Sequence, residues 1–187
     1  MWCRLVAIGL AAGLLLASCS RAPEASSDIG GPFALTDTDG RPVTQRDLLG
    51  RPSAVFFGFT YCPEVCPTTL AELTAAMQAL GPEADRLNVV FISVDPERDT
   101  PDQLKIYMSN FDPRIRAFTG TPDAVAQAAS AYRVFYRKVP IDGGSYTMDH
   151  TSTLFLFDAQ GRFVEPVSYG EPVDAVTDRL RNLIDRD

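Results

Sequence analysis

The chain has 187 residues, 45% of them apolar and 22% charged, with a formal net charge of −7. This length suits one domain with a real core, and this composition excludes a disordered chain. The acidic balance argues against nucleic acid as a partner, because phosphate binding needs a basic patch.

The N-terminal residues read as a leader, not as part of the fold. Arg4 precedes an apolar run over residues 5–17 that is too short to span a bilayer comfortably. The run ends in Leu16-Ala17-Ser18-Cys19, which resembles a bacterial lipobox, where the leader is cut before a cysteine whose thiol takes the lipid. A plain secretory signal with an incidental cysteine and a short uncleaved anchor are the alternatives. The expected division is a signal peptide over residues 1–18, a tether over 19–31 headed by lipidated Cys19, and a folded domain over 32–187. Residues 20–31 are small, polar and unpatterned, and fully extended they reach at most about 40 Å. Cys3 leaves with the signal and Cys19 takes lipid, so Cys62 and Cys66 remain in the mature domain, outside the cytoplasm. There a pair forms a disulfide unless it is reduced or metal-bound.

From Pro32 onward, strand and helix signals alternate. Residues 33–36 predict a short strand turned by Asp37-Thr38-Asp39-Gly40. Residues 53–59 (SAVFFGF) and 87–94 (LNVVFISV) are apolar on both faces, as buried strands are. Residues 66–80 predict a helix, with Pro67 near its first position and Gly81-Pro82 as its stop. Thr100-Pro101-Asp102-Gln103 is a capping box that opens a helix to Phe111. Residues 115–119 predict a third strand, and Thr121-Pro122-Asp123 opens a helix to Tyr132. Residues 135–139 predict a strand before the turn Ile141-Asp142-Gly143-Gly144. His150 leads straight into an apolar strand over 152–157 (STLFLF), which Asp158-Ala159-Gln160-Gly161 turns into 162–168. Residues 171–185 predict a closing amphipathic helix with Val173, Val176, Leu180 and Ile184 on one face. No internal repeat or second domain is visible.

Strands alternating with helices, then a hairpin and a last helix, predict a three-layer α/β sandwich. A dithiol at the tip of the first long strand, opening a helix, narrows this to a thioredoxin-like fold. The expected form has a central mixed sheet, an extra N-terminal hairpin and a hairpin inserted before the His150 strand.

Cys62 and Cys66 lie in Thr60-Tyr61-Cys62-Pro63-Glu64-Val65-Cys66-Pro67, and His150 is the chain's only histidine. A helix N-terminus favours thiolate over thiol and lowers cysteine pKa. Such a pair can close a disulfide or hold one metal ion between two sulfurs. A purely stabilising disulfide would close so short a loop that it constrains the unfolded chain little. Thioredoxin-type oxidoreductases favour two intervening residues and a proline before the facing strand. Here three residues intervene, and Ser152 stands where that proline is expected. His150 lies two residues earlier, at the lip opposite the dithiol, so the fold brings its imidazole toward the sulfurs. Two thiolates and one imidazole suit a soft, thiophilic metal, copper above all.

At these residues the chain resembles the Sco/SenC/PrrC family of copper-binding thioredoxin-like proteins. The resemblance runs from about Phe33 to the C-terminus. It rests on FFGFTYCPEVCP at residues 56–67, ISVDPERDTP at 92–101, FTGTP at 118–122, AYRV at 131–134 and Asp149-His150-Thr151. It implies that Cys62, Cys66 and His150 are copper ligands and that the protein helps load the CuA centre of cytochrome c oxidase subunit II. Some bacterial members act instead as thiol–disulfide reductases of that subunit, or in copper and redox signalling, and the same cysteines serve both activities. Other periplasmic copper chaperones and thiol–disulfide proteins are further expected partners, and the lipid anchor places the protein on the periplasm-facing side of a membrane.

Cu(I) accepts a trigonal set of two sulfurs and a neutral imidazole, whereas Cu(II) wants a fourth donor, water or a carboxylate. Asp149 is adjacent, but neighbours in a strand point to opposite faces, so it is expected to shape the site from outside. Zinc fits the same ligands and is disfavoured only by the resemblance. Asp95 and Asp99, with Glu97 and Arg98, are expected in a solvated loop that caps the next helix, with partner docking or tuning of the site as the functional alternative. Met148 shares a face with His150 in an extended chain and is expected to pack. Tyr61 either shields the site, presents a partner surface or packs on the loop. Phe56, Phe57, Phe155 and Phe157 are core. With one histidine no Ser-His-Asp triad can be argued, and neither cysteine has the flanking residues of a thiol peroxidase.

Overall fold

The computed structural model describes residues 29–186. The expected signal peptide, Cys19 and most of the tether lie outside the described residues.

The two apolar runs without alternation pair in parallel at the centre of the molecule. β3 (Ser53–Gly58) and β4 (Asn88–Ser93) align Val55 with Val90 and Phe57 with Ile92, and every residue of both strands is buried. Side chains that project from both faces of a strand need cover on both sides, which a parallel sheet between helices provides. β5 (Ile115–Thr119) continues the parallel set beyond β4. Antiparallel strands complete the sheet. β8 (Thr153–Phe157) and β9 (Phe163–Ser168) flank β3, while β1 (Ala34–Asp37) and β2 (Pro42–Thr44) form the N-terminal hairpin on β5. The order is β2-β1-β5-β4-β3-β8-β9.

Helices cover both faces. α1 (Val65–Leu80) follows β3 and packs on α4 (Val173–Ile184). α2 (Pro101–Met108) lies near Phe91, whose ring is 6.2 Å from that of Tyr107. On the opposite face Phe57 and Phe157 meet Tyr132, at the end of α3 (Pro122–Ala131), each with ring centroids 5.3 Å apart. Each such buried aromatic contributes about 1.5–3 kcal/mol through area removed from water. The thioredoxin-like α/β sandwich is thus present. Thr100 and Thr121 cap α2 and α3 as their sequence predicts, accepting from Gln103 N at 3.3 Å and Ala124 N at 3.2 Å.

Two details depart from the sequence reading. The Gly81-Pro82 stop opens a 3-10 turn over Gly81–Arg86, whose backbone continues past the α-helix. His150 does not begin the apolar strand. β6 (Tyr136–Pro140) and β7 (Tyr146–His150) form a separate two-stranded sheet, and Thr151 and Ser152 break the chain before β8. The histidine therefore ends the inserted hairpin instead of following it.

Candidate metal centre

The end of β3 delivers the cysteines. Gly58 closes the strand because nothing larger fits there. A Cβ at that position would stand 2.7 Å from Cys66 Sγ and 2.7 Å from Phe91 Cε2. Beyond it, Cys62 lies half-buried in the loop, and Cys66 lies fully buried in the first turn of α1. Glu64 precedes the helix without a side-chain cap, so the helix entry has a backbone donor to spare. Cys62 Sγ takes it, accepting from Cys66 N at 3.4 Å.

That arrangement separates the two thiols. Hydrogen bonding from Cys66 holds the Cys62 pKa down to about 4 against a burial cost, with His150 and the backbone amides of Cys66 and Glu64 adding to it. The same contact with the Cys62 sulfur, followed by burial, pushes the Cys66 thiol up. Cys62 is thus the sulfur favoured as thiolate, and Cys66 the one favoured as thiol.

His150 completes the group. Its Nε2 is 3.5 Å from Cys66 Sγ, and one donor atom each from Cys62, Cys66 and His150 lie within 4.8 Å of one another. The ring stands edge-on to Phe59 at 5.6 Å and to Phe56 at 6.4 Å. Its Nδ1 is 2.9 Å from the Thr151 carbonyl, which can only accept, so Nδ1 carries a proton and Nε2 is the ring atom that faces the sulfurs. Locking one ring nitrogen on a carbonyl is how metal-binding histidines are commonly oriented. The three side chains singled out in the sequence therefore converge, and among the described residues they are the only such group of His, Cys, Asp and Glu donors.

The other candidates divide. Asp149 points away, as strand alternation predicts, and pairs with Arg137 at 3.0 Å on the hairpin surface. Met148 is buried in the core, in the packing role expected of it. Tyr61 is 60% exposed beside the site. The solvated loop expected around Asp95 and Asp99 is corrected, because these residues are 1% and 0% exposed. Asp99 accepts from Thr60 N at 3.0 Å, Thr60 Oγ1 at 2.6 Å and Ser93 Oγ at 2.6 Å, which ties the start of the cysteine loop to the end of β4. Burial pushes its carboxyl up, against those hydrogen bonds. Asp95 accepts from Arg98 Nε and, at 2.8 Å, from Tyr146 Oη. Sequence reasoning did not reach these tertiary partners. The available signal was two aspartates bracketing an arginine directly after a buried strand.

Comparison with known proteins decides the kinship. The family described as SCO1/SenC matches residues 21–185. This chain belongs to the SCO1/SenC family. Similar relatives include the Arabidopsis thaliana protein SCO1 homolog 1, mitochondrial, at 40% identity over 152 residues, covering 80% of this chain and 45% of that protein. Rhodobacter capsulatus SenC is 33% identical, covering 96% of this chain and 86% of SenC. The chain thus spans about half the length of the Arabidopsis SCO1 relative and most of SenC. Among solved structures, copper-bound ScoI of Bradyrhizobium japonicum matches with a TM-score of 0.78 and 46% identity, covering 83% of this chain and 99% of that one. This SCO1/SenC chain therefore shares its fold with a relative whose structure was solved with copper.

Proposed function

We propose that this protein is a copper metallochaperone that binds copper through Cys62, Cys66 and His150 and helps load the CuA centre of cytochrome c oxidase subunit II. The single observation that carries the reading is the convergence of two sulfurs and an imidazole Nε2 within 4.8 Å. Two soft donors and one borderline nitrogen favour Cu(I), and zinc is the competitor for the same ligands. Copper in the solved ScoI relative supports the metal, and family membership supports the oxidase as recipient. Cys62 is the less buried of the two cysteines, which suits a carrier, since an incoming ligand can displace one donor at a time. We further infer that residues 1–18 are a signal, that Cys19 carries lipid, and that the protein works on the periplasm-facing side of a membrane. The lipobox-like segment supports this, and no helix among the described residues is long and apolar enough to cross a bilayer.

The rival reading is a thiol–disulfide oxidoreductase cycling Cys62 and Cys66. It uses the charged Cys62 sulfur and its protonated neighbour, with His150 tuning the thiolate. Cu(I) competition on the reduced protein separates the two. His150→Ala should lose copper affinity, while its dithiol reduction potential should stay close to wild type. Equal affinity in the two proteins would remove His150 from the site and the chaperone reading with it.

A further inference from the structure

His150 and the cysteines belong to different sheets. Cys62 and Cys66 follow β3 of the seven-stranded sheet, whereas His150 ends β7 of the two-stranded one, and no strand pairing joins the two sheets. The backbone link from His150 to the main sheet runs through Thr151 and Ser152 into β8, and side-chain contacts across the junction add to it. Arg98 stands where the two parts meet. Its guanidinium is centred 3.8 Å over the Tyr146 ring and 4.5 Å over the Tyr61 ring. Its Nη1 donates to the Tyr146 carbonyl at 2.9 Å, and its Nε donates to Asp95. Tyr146 Oη donates to the same carboxylate at 2.8 Å. Arg98 Nη2 is buried without a hydrogen-bond partner, which leaves the ring faces as its neighbours. Tyr61 adjoins Cys62, and Tyr146 opens the strand that His150 closes. One side chain thus touches the cysteine loop and the histidine strand together.

We propose that Arg98 is a positioning residue for the Cys62–Cys66–His150 centre. Stacked between Tyr61 and Tyr146 and anchored on buried Asp95, it docks the hairpin so that the imidazole faces the sulfurs. The competing account is that Met148 and the Phe59 ring seat the hairpin by packing, with Arg98 a bystander.

The single histidine makes the difference measurable, because isotope-labelled histidine reports on His150 alone. In the reduced, metal-free protein, nuclear Overhauser contacts should join the His150 and Phe59 rings. Arg98→Met should lose them while the amide signals of β3, β4 and α1 stay in place. Asp95→Asn combined with Arg98→Met avoids leaving a lone buried carboxylate and should lose them equally. Arg98→Lys keeps the charge on Asp95, and so the fold, but an ammonium cannot stack flat between two rings. It should lose the contacts in part. Wild-type contacts in the Lys variant and in whichever Met variants fold would overturn the proposal.

The copper arm rests on the function proposed above. Arg98→Met should weaken Cu(I) binding by about tenfold, as changes in the groups that orient a metal-binding histidine do. It should add nothing in a His150→Ala background. Additive losses would mean that Arg98 acts other than through His150, which overturns the proposal. A His150→Ala protein that binds copper like wild type would defeat the copper reading, and the ring contacts would then decide the role of Arg98 by themselves.

Discussion

The thiol side and the imidazole side of this centre are supported by different physics. Cys66 sits on the floor of the main core, under Gly58 and against Phe91, and its loop is pinned through Thr60 to buried Asp99. His150 sits at the end of a two-stranded hairpin whose outer strand, β6, is largely exposed. Two strands by themselves are marginal in water, so the hairpin takes its order from what it leans on. The contrast teaches that the sulfurs share the stability of the fold, whereas the ring nitrogen is held by the Thr151 carbonyl and a small set of side-chain contacts. Damage to the first should cost folding, and damage to the second should cost geometry.

The largest effect that contrast predicts is at Asp99. Asp99→Ala leaves Thr60 N, Thr60 Oγ1 and Ser93 Oγ without their acceptor, at a cost on the order of 3 kcal/mol. Urea unfolding should show this as a lower midpoint with an unchanged slope. A loss below about 0.5 kcal/mol would mean the cysteine loop is not pinned there. Next comes Gly58→Ala, which drives a methyl against Cys66 Sγ and the Phe91 ring and should cost about 1–3 kcal/mol. The same thermal or chemical unfolding measurement applies, and a neutral result would show that the thiol side yields as readily as the hairpin.

A subtler effect is the pH response of the thiols. With its pKa held at about 4, Cys62 is thiolate across the neutral range, so its alkylation by iodoacetamide should change little between pH 6 and 8. An ordinary thiol, still mostly protonated at pH 8, accelerates roughly tenfold per pH unit there. Cys66, buried and pushed the other way, should resist the reagent while the fold persists. The sign for stability follows. Cys62 titrates lower folded than unfolded, so its contribution is present above the ordinary value of 9.0 and is lost as pH falls through about 4. A rate that climbs steeply from pH 6 would contradict the assigned thiolate. The smallest effect is expected at Glu97, whose pair with Lys138 at 2.6 Å joins the hairpin to the 95–99 loop at the surface. Glu97→Ala should shift stability by no more than about 0.5 kcal/mol, because exposed pairs are screened and entropically costly. A loss of several times that would give the rim pair the docking role assigned to Arg98.

Much of this was legible in the sequence because it is encoded locally. The apolar-rich runs at 53–59 and 87–94, without alternation, read as buried strands, and Thr-Pro-Asp segments announced α2 and α3. The solitary histidine and the spaced cysteines stood out by residue type. What stayed illegible depends on contacts between distant segments. Asp95 and Asp99 looked solvated because a capping box already explained their segment, and only the tertiary fold buries them under Thr60 and Tyr146. The break between His150 and β8 is unmarked in the sequence, because Thr151 and Ser152 are neither glycine nor proline. Tyr146 gave no signal, since an aromatic in a hairpin is ordinary until its partners are known.

The central claim is that two sulfurs and the Nε2 of His150 bind one copper ion. X-ray absorption at the copper edge of the Cu(I)-loaded protein, wild type beside His150→Ala, tests it most directly. The account predicts two sulfur ligands and one nitrogen ligand in the wild type, with the nitrogen and its imidazole scattering gone in the variant. Identical spectra from the two proteins, or a wild-type site with sulfur ligands only, would contradict it.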